Sequence, residues 1–231
     1  MSFEKKFFLP HTPFWIIASD EAGRGPLAGP VVAGSVAMRI DCPVQAVKRL
    51  ARLRRLGIKD SKITNHEKRC ELLAKLQWQS GKPALTRQAI GDGLIAAWSE
   101  VSSQEIDTIN ILQASLKAMS LCAQLVASSE NEPVIWLVDG NRAPANVNDW
   151  CIHPVVDGDA KSVLIGLASV IAKDARDRLM QSYHELYPNF GLKQHMGYGT
   201  EAHRAAIAKY GPTPIHRQTF KGVREFIGSP A

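Results

Sequence analysis

Residues 133–138 (PVIWLV) are apolar at every position, the pattern of a strand covered on both faces. Such a strand calls for a layer of helices on each side of its sheet. Residues 14–19 (FWIIAS) and 30–38 (PVVAGSVAM) also read as strands, separated by a glycine-rich turn. Residues 84–91 form a weaker strand candidate and residues 151–156 a shorter one. Thr64 followed by Glu67 has the form of a capping box, opening a helix to about Gln79. A second helix is predicted over residues 110–127, with Leu112, Ser115, Leu116, Met119, Cys122, Ala123 and Val126 on one face. A long helix spans about 161–185, and a last one spans 200–210, stopped by Gly211-Pro212. Strands come first and then alternate with helices, which predicts an α/β fold built on a mixed sheet with helices on its faces. With no repeat, low-complexity stretch or linker, the expected organisation is an N-terminal extension, residues 1–13, followed by one domain, residues 14–231.

Charge is unevenly spread. The chain carries a net +6, yet residues 46–69 alone hold nine Lys and Arg against Asp60 and Glu67. The remainder is close to neutral, so the basic stretch reads either as a polyanion-facing surface or as a solvated helix. Four scattered cysteines without a C-x-x-C pair argue against a zinc site or a disulfide framework. No apolar run reaches the roughly 18 residues of a membrane span, and the N-terminus lacks the long apolar region of a signal peptide. A cytoplasmic protein without a membrane partner is expected, and no obligate protein partner is evident.

Four acids stand where predicted elements end. Asp20 and Glu21 follow the first strand, Asp139 follows the fully apolar one, and Asp159 precedes the long helix. Open α/β sheets build their sites beyond the carboxyl ends of strands. If the strands carrying Ile17 and Leu137 are neighbours, Asp20 and Asp139 meet there. Carboxylates without Cys or His suit hard cations, Mg²⁺ or Mn²⁺. Each acid has a structural alternative: Asp139-Gly140 is also a turn signal, and Asp159 also suits a helix cap. Strand alternation points Asp20 and Glu21 to opposite faces, so one shared site requires the chain to leave extended geometry there, which Gly23 and Gly25 permit. The glycine-rich turn fails as a dinucleotide-binding loop, because Pro26 and Pro30 flank it and no helix follows.

The run Asp20-Glu21-Ala22-Gly23-Arg24-Gly25-Pro26-Leu27-Ala28-Gly29-Pro30-Val31-Val32 closely resembles the signature of the ribonuclease HII family. The resemblance continues through Asp60-Ser61-Lys62, Glu105-Ile106-Asp107, Val138-Asp139-Gly140-Asn141 and Gly158-Asp159. It extends further through Ala168-Ser169-Val170-Ile171-Ala172-Lys173, Gly197-Tyr198-Gly199-Thr200 and His216-Arg217. It implies a ribonuclease H-like sheet with additional C-terminal helices. It also implies hydrolysis of the RNA strand of RNA–DNA hybrids and incision at ribonucleotides embedded in duplex DNA, those two nucleic acids being the expected partners. Carried over by position, Asp20, Glu21 and Asp139 resemble the metal ligands for Mn²⁺ or Mg²⁺, and Asp159 the fourth catalytic carboxylate. Gly23, Arg24, Gly25 and Tyr198 resemble the group that recognises the ribose. Two positions depart from the family: Asp157 and Met196 stand where lysines are usual. His195, His203 and His216 read as surface or capping residues rather than catalytic ones. A junction resolvase and a non-catalytic hybrid-binding protein are the competing readings. The stretch before the first strand is expected to be too short for the extra domain of a type-three ribonuclease H.

Overall fold

Strand alternation sets the architecture, and a computed structural model shows how. It describes residues 2–58, 65–127, 131–145 and 149–227. The strands are β1 (Phe14–Ala22), β2 (Val31–Ile40), β3 (Gln88–Ile90), β4 (Leu94–Val101), β5 (Val134–Asp139) and β6 (Cys151–Val155). They form one sheet in the order β3-β4-β2-β1-β5-β6. β1 runs antiparallel to β2 and parallel to β5, and β6 continues parallel to β5. The helices are α1 (Pro43–Arg55), α2 (His66–Lys75), α3 (Ser103–Ile109), α4 (Ile111–Val126), α5 (Gly158–Lys161), α6 (Val163–Leu186), α7 (Leu192–His195) and α8 (Glu201–Tyr210).

Alternate residues of β1 and β5 enter different cores. Phe14, Ile16 and Ala18 join Ile135 and Leu137 beneath α1, α2 and α6. Trp15 and Ile17 join Trp136 and Val138 against α4. Full burial of a side chain such as Ile16 or Leu137 contributes about 1.5–3 kcal/mol, so each face resists a one-residue slip of register. Helix α6 lies close over β2 because Gly34 has no side chain: a Cβ there would sit 2.3 Å from the carbonyl oxygen of Ala168. A smaller core of Leu27, Met180, Phe190, Ile207, Ile215 and Val223 fastens the C-terminal helices to the loop after β1.

Several expectations change in detail. Residues 84–91 shorten to β3, and β4 had no counterpart in the reading of the sequence. Its Leu94–Val101 run is buried at nearly every position and is entered by a tight turn with Asp92 at φ 59° and Gly93 at φ 64°. The α2 cap is Asn65, whose side chain accepts from the Lys68 amide at 2.9 Å. Thr64, Lys59 and Asp60-Ser61-Lys62 lie outside the described residues. Among its described residues, part of the basic stretch turns inward. Helix α1 buries Ala46, Leu50 and Leu53. Arg49 donates to the carbonyls of Asp92 and Gly93, Arg52 pairs with Asp92, and Arg69 pairs with Asp177. The residues expected to form an extension are packed on the first core through Phe3, Phe7, Phe8 and Leu9. Among the described residues no single helix is long and apolar enough to cross a membrane. All four cysteines are free thiols, with Cys122 buried on the inner face of α4.

Candidate active site

The pairing of β1 with β5 ends at Ser19 and Val138, one residue short of Asp20 and Asp139. By alternation both acids fall on the α6 face, at the open carboxyl edge of two adjacent parallel strands. Ligand oxygens of Asp20, Glu21 and Asp139 all lie within 4.8 Å of one another. The expectation that the chain must leave extended geometry for Glu21 to join them is not met. β1 stays paired with β2 through Ala22, with Glu21 opposite Ala33. The flank toward β5 is open at this point, and the longer glutamate reaches around it, held by Arg24 at 3.2 Å.

Each acid has a local support. Asp20 Oδ1 accepts from the Glu21 amide at 2.7 Å, and the Ser169 hydroxyl of α6 also bonds its carboxylate. Asp139 Oδ1 accepts from the Gly158 amide at 2.7 Å. Asp159, in the short helix α5, is buried and lines the same cleft, which encloses about 540 Å³. Burial first, and then repulsion from Asp139 and Glu21, raises the Asp20 pKa well above the usual carboxylate range. Burial likewise raises Glu21, against the pull of Arg24. Glu21 Oε2 is buried with no hydrogen-bond partner among the described residues. An all-oxygen cluster with an orphaned buried carboxylate oxygen fits a hard divalent cation, which supplies the missing positive charge.

Across the cleft, the Gly23-Arg24-Gly25 loop lies against Tyr198. A Cβ on Gly25 would sit 3.6 Å from the Tyr198 ring, which is half exposed. Gly23 admits no side chain: its φ is 93°, and a Cβ would strike Arg176 Nε at 2.1 Å. The amides of Gly23, Arg24 and Gly25 donate to no acceptor among the described residues, whereas the carbonyls of Gly23 and Arg24 accept from Arg217. The loop therefore offers donors to a ligand and turns its acceptors inward. Gly23, Arg24, Gly25, Tyr198 and the four acids all line one cleft.

The ribonuclease HII family model matches residues 17–223. The chain belongs to that family. A ribonuclease HII of Cupriavidus necator is 41% identical over 208 residues, 90% of this chain and 76% of the relative. The crystal structure of the ribonuclease H2 from Pyrococcus horikoshii OT3 superposes with a TM-score of 0.65 at 25% identity, covering 92% of this chain and 97% of that one. Bst-RNase HIII in complex with Mn²⁺ shares the fold, with a TM-score of 0.61 at 16% identity over 93% of this chain and 69% of the other. As a ribonuclease HII-family member the chain is a metal-dependent endoribonuclease, a phosphodiester hydrolase.

Within this family frame, the residues that sequence reasoning missed are those that build the loop. Arg217 is fully buried and donates to the carbonyls of Gly29 (3.0 Å), Arg24 (2.9 Å), Gly23 (2.5 Å) and Pro30 (3.2 Å). Arg176 donates to Pro30 and Ala28, both at 3.3 Å. The three histidines form a chain rather than a surface. Thr213 donates its amide to His216 Nδ1 at 3.0 Å, which leaves the proton of a neutral ring on Nε2. That nitrogen lies 3.1 Å from His203 Nε2, and His203 Nδ1 in turn meets the Tyr198 carbonyl at 2.9 Å. His195 stacks on His203. Only the Gly-Tyr-Gly and His-Arg spacings hinted at this wiring. Ser169, Lys173 and Arg176 share one stripe of α6 facing the cleft. Met196, in left-handed geometry at φ 48°, lines the same cleft, while Asp157, at φ 53°, stands just before α5 without a side-chain cap bond.

Proposed function

We propose that this chain hydrolyses the RNA strand of RNA–DNA hybrids and incises duplex DNA at single embedded ribonucleotides, leaving 5′-phosphate and 3′-hydroxyl ends. The observation that carries the reading is the convergence of three carboxylates on one point, in the same cleft as a donor-presenting loop packed under an aromatic ring. Asp20, Glu21 and Asp139 are the ligands for Mn²⁺ or Mg²⁺, and Asp159 is the fourth catalytic carboxylate, engaged when substrate arrives. An ion held there would supply the positive charge that lowers the pKa of a water and offsets charge on the phosphate. The chain does the rest. Ser169 and the Gly158 amide hold Asp20 and Asp139 in register, and Arg24 holds Glu21. The free amides of Gly23, Arg24 and Gly25 receive oxygen atoms of the ribonucleotide, including the 2′-hydroxyl that separates RNA from DNA. Tyr198 stacks on the adjoining sugar or base.

The test is a duplex DNA with one ribonucleotide, incubated with Mg²⁺ or Mn²⁺ and followed by end mapping. Cleavage at the ribonucleotide with 5′-phosphate and 3′-hydroxyl ends is expected. Cleavage of a long hybrid but not of this duplex would overturn the incision activity, and cleavage of neither would overturn the whole reading.

A further inference from the structure

A second groove opens beside the catalytic cleft and shares Asp159 with it. It encloses about 720 Å³ between the N-terminal turn (Phe3–Phe7), the end of α1 and helix α5. Lys5, Lys6, Arg54 and Lys161 line it, and among the described residues Asp159, at the shared edge, is the only acid in its wall. Arg49, Arg52 and Arg69 all satisfy carbonyls or carboxylates within the fold, whereas Lys5, Lys6 and Arg54 join no acid among the described residues. Cations gathered around one concavity raise a focused positive potential there.

The lysines hold fixed stations. Glu4, between them and Phe3, is fully buried and accepts from the Ser162 hydroxyl at 2.8 Å and the Leu164 amide at 3.3 Å. That bond pair ties the turn to the first residues of α6, while Phe3 and Phe7 pack on the core. Lys5 and Lys6 therefore project from an anchored turn. Phe3 and Ile58 add apolar wall on which the faces of sugars can lie.

We propose that this groove is a second contact on the substrate duplex, holding backbone phosphates of the strand that leaves the catalytic cleft past Asp159. A regularly spaced polyanion continuing out of the cleft matches the cations, and the shared wall makes its path continuous. The proposal rests on the nuclease reading above and extends it from the cleavage point to the footprint.

The test compares the full-length parent with a Lys5→Gln, Lys6→Gln, Arg54→Gln variant in metal-free binding titrations across several salt concentrations. The probes are a labelled duplex DNA with one ribonucleotide and two versions trimmed on either side of it. Each phosphate contact contributes about −0.9 to the slope of log affinity against log salt. The variant should bind the long duplex more weakly, with a slope shallower by about two to three, while kcat at saturating substrate is unchanged. Trimming one side, and not the other, should erase the difference. A Lys5→Arg, Lys6→Arg variant should behave as the parent. Equal slopes for parent and variant, or the same loss on all three duplexes, would overturn the proposal. Failure of the parent to cut any substrate would instead overturn the functional reading, and the binding slopes would still decide the groove.

Discussion

The two walls of the catalytic cleft meet opposite electrostatic problems. On the acid wall, like charges crowd at the ends of β1 and β5, and a buried oxygen of Glu21 has no partner among the described residues. On the glycine wall, buried cations are surrounded by carbonyl dipoles. Burial lowers the guanidinium of Arg217 to about 9 and that of Arg176 to about 10, yet each is matched by main-chain acceptors. One wall carries mutual repulsion and an oxygen buried without a partner among the described residues, which a bound cation would relieve. The other has its buried charges matched within the fold.

The largest effect should come from disturbing the acid wall. Asp139→Asn keeps the shape but removes a ligand charge, so kcat should fall by several orders of magnitude while hybrid binding survives. Because the acids repel one another, the same change should raise the metal-free melting temperature. A lowered melting temperature, measured by calorimetry, would show that no such tension exists there.

The glycine wall should fail in the opposite manner. Arg217→Lys keeps the charge but loses the planar fork, leaving carbonyls unsatisfied, at a cost of about 2–4 kcal/mol. The melting temperature should drop by roughly 5–15 °C. At temperatures where the variant is folded, preference for the ribonucleotide should weaken more than kcat on a long hybrid. A stable variant with full preference would mean that the clamp does not set the loop.

Tyr198→Ala tests the same wall from outside. The ring is half exposed, so stability should change by no more than about 0.5 kcal/mol. Stacking is worth about 1–3 kcal/mol per base, so kcat/KM at a single ribonucleotide should fall by about 5- to 150-fold, with binding to plain duplex DNA little affected. Equal losses in both assays would reduce the ring to a structural part.

The last effect concerns the histidine chain behind Tyr198. Burial lowers His203 and His216 to about 4, from an unfolded value near 6.5. Between those values the unfolded chain binds more protons, so the pair's contribution is complete above about pH 6.5 and is lost as pH falls toward 4. Denaturant titrations at pH 7 and pH 5 should show a larger stability loss in the parent than in a His216→Asn variant. Parallel losses would place the pH dependence elsewhere.

What the sequence disclosed follows the same division. The acid wall was legible because its signals are local: an apolar run ends, an acid follows, and parallel neighbours bring two such ends together. Even there, alternation suggested that Glu21 would need a bent chain, because the open flank beyond Ser19 and Val138 belongs to the register of two strands and not to either alone. The glycine wall depends on contacts such as Arg217 with Gly23, nearly the whole chain apart, for which the Gly-Tyr-Gly and His-Arg motifs were the only signs and no periodicity gave the pairing. The basic stretch at residues 46–69 was only partly legible for a related reason. Charge is visible in sequence, but the internal partners of Arg49, Arg52 and Arg69 are not.

The bridge between Ala28 and His216, together with the Arg217 clamp, also gives the molecule a direction in time. Synthesis delivers all four acids well before residue 217. A nascent chain thus acquires the acid cluster first and the buried clamp that shapes the glycine loop almost last. Any message that ends early, ahead of Arg217, encodes the acids without the template that restrains them.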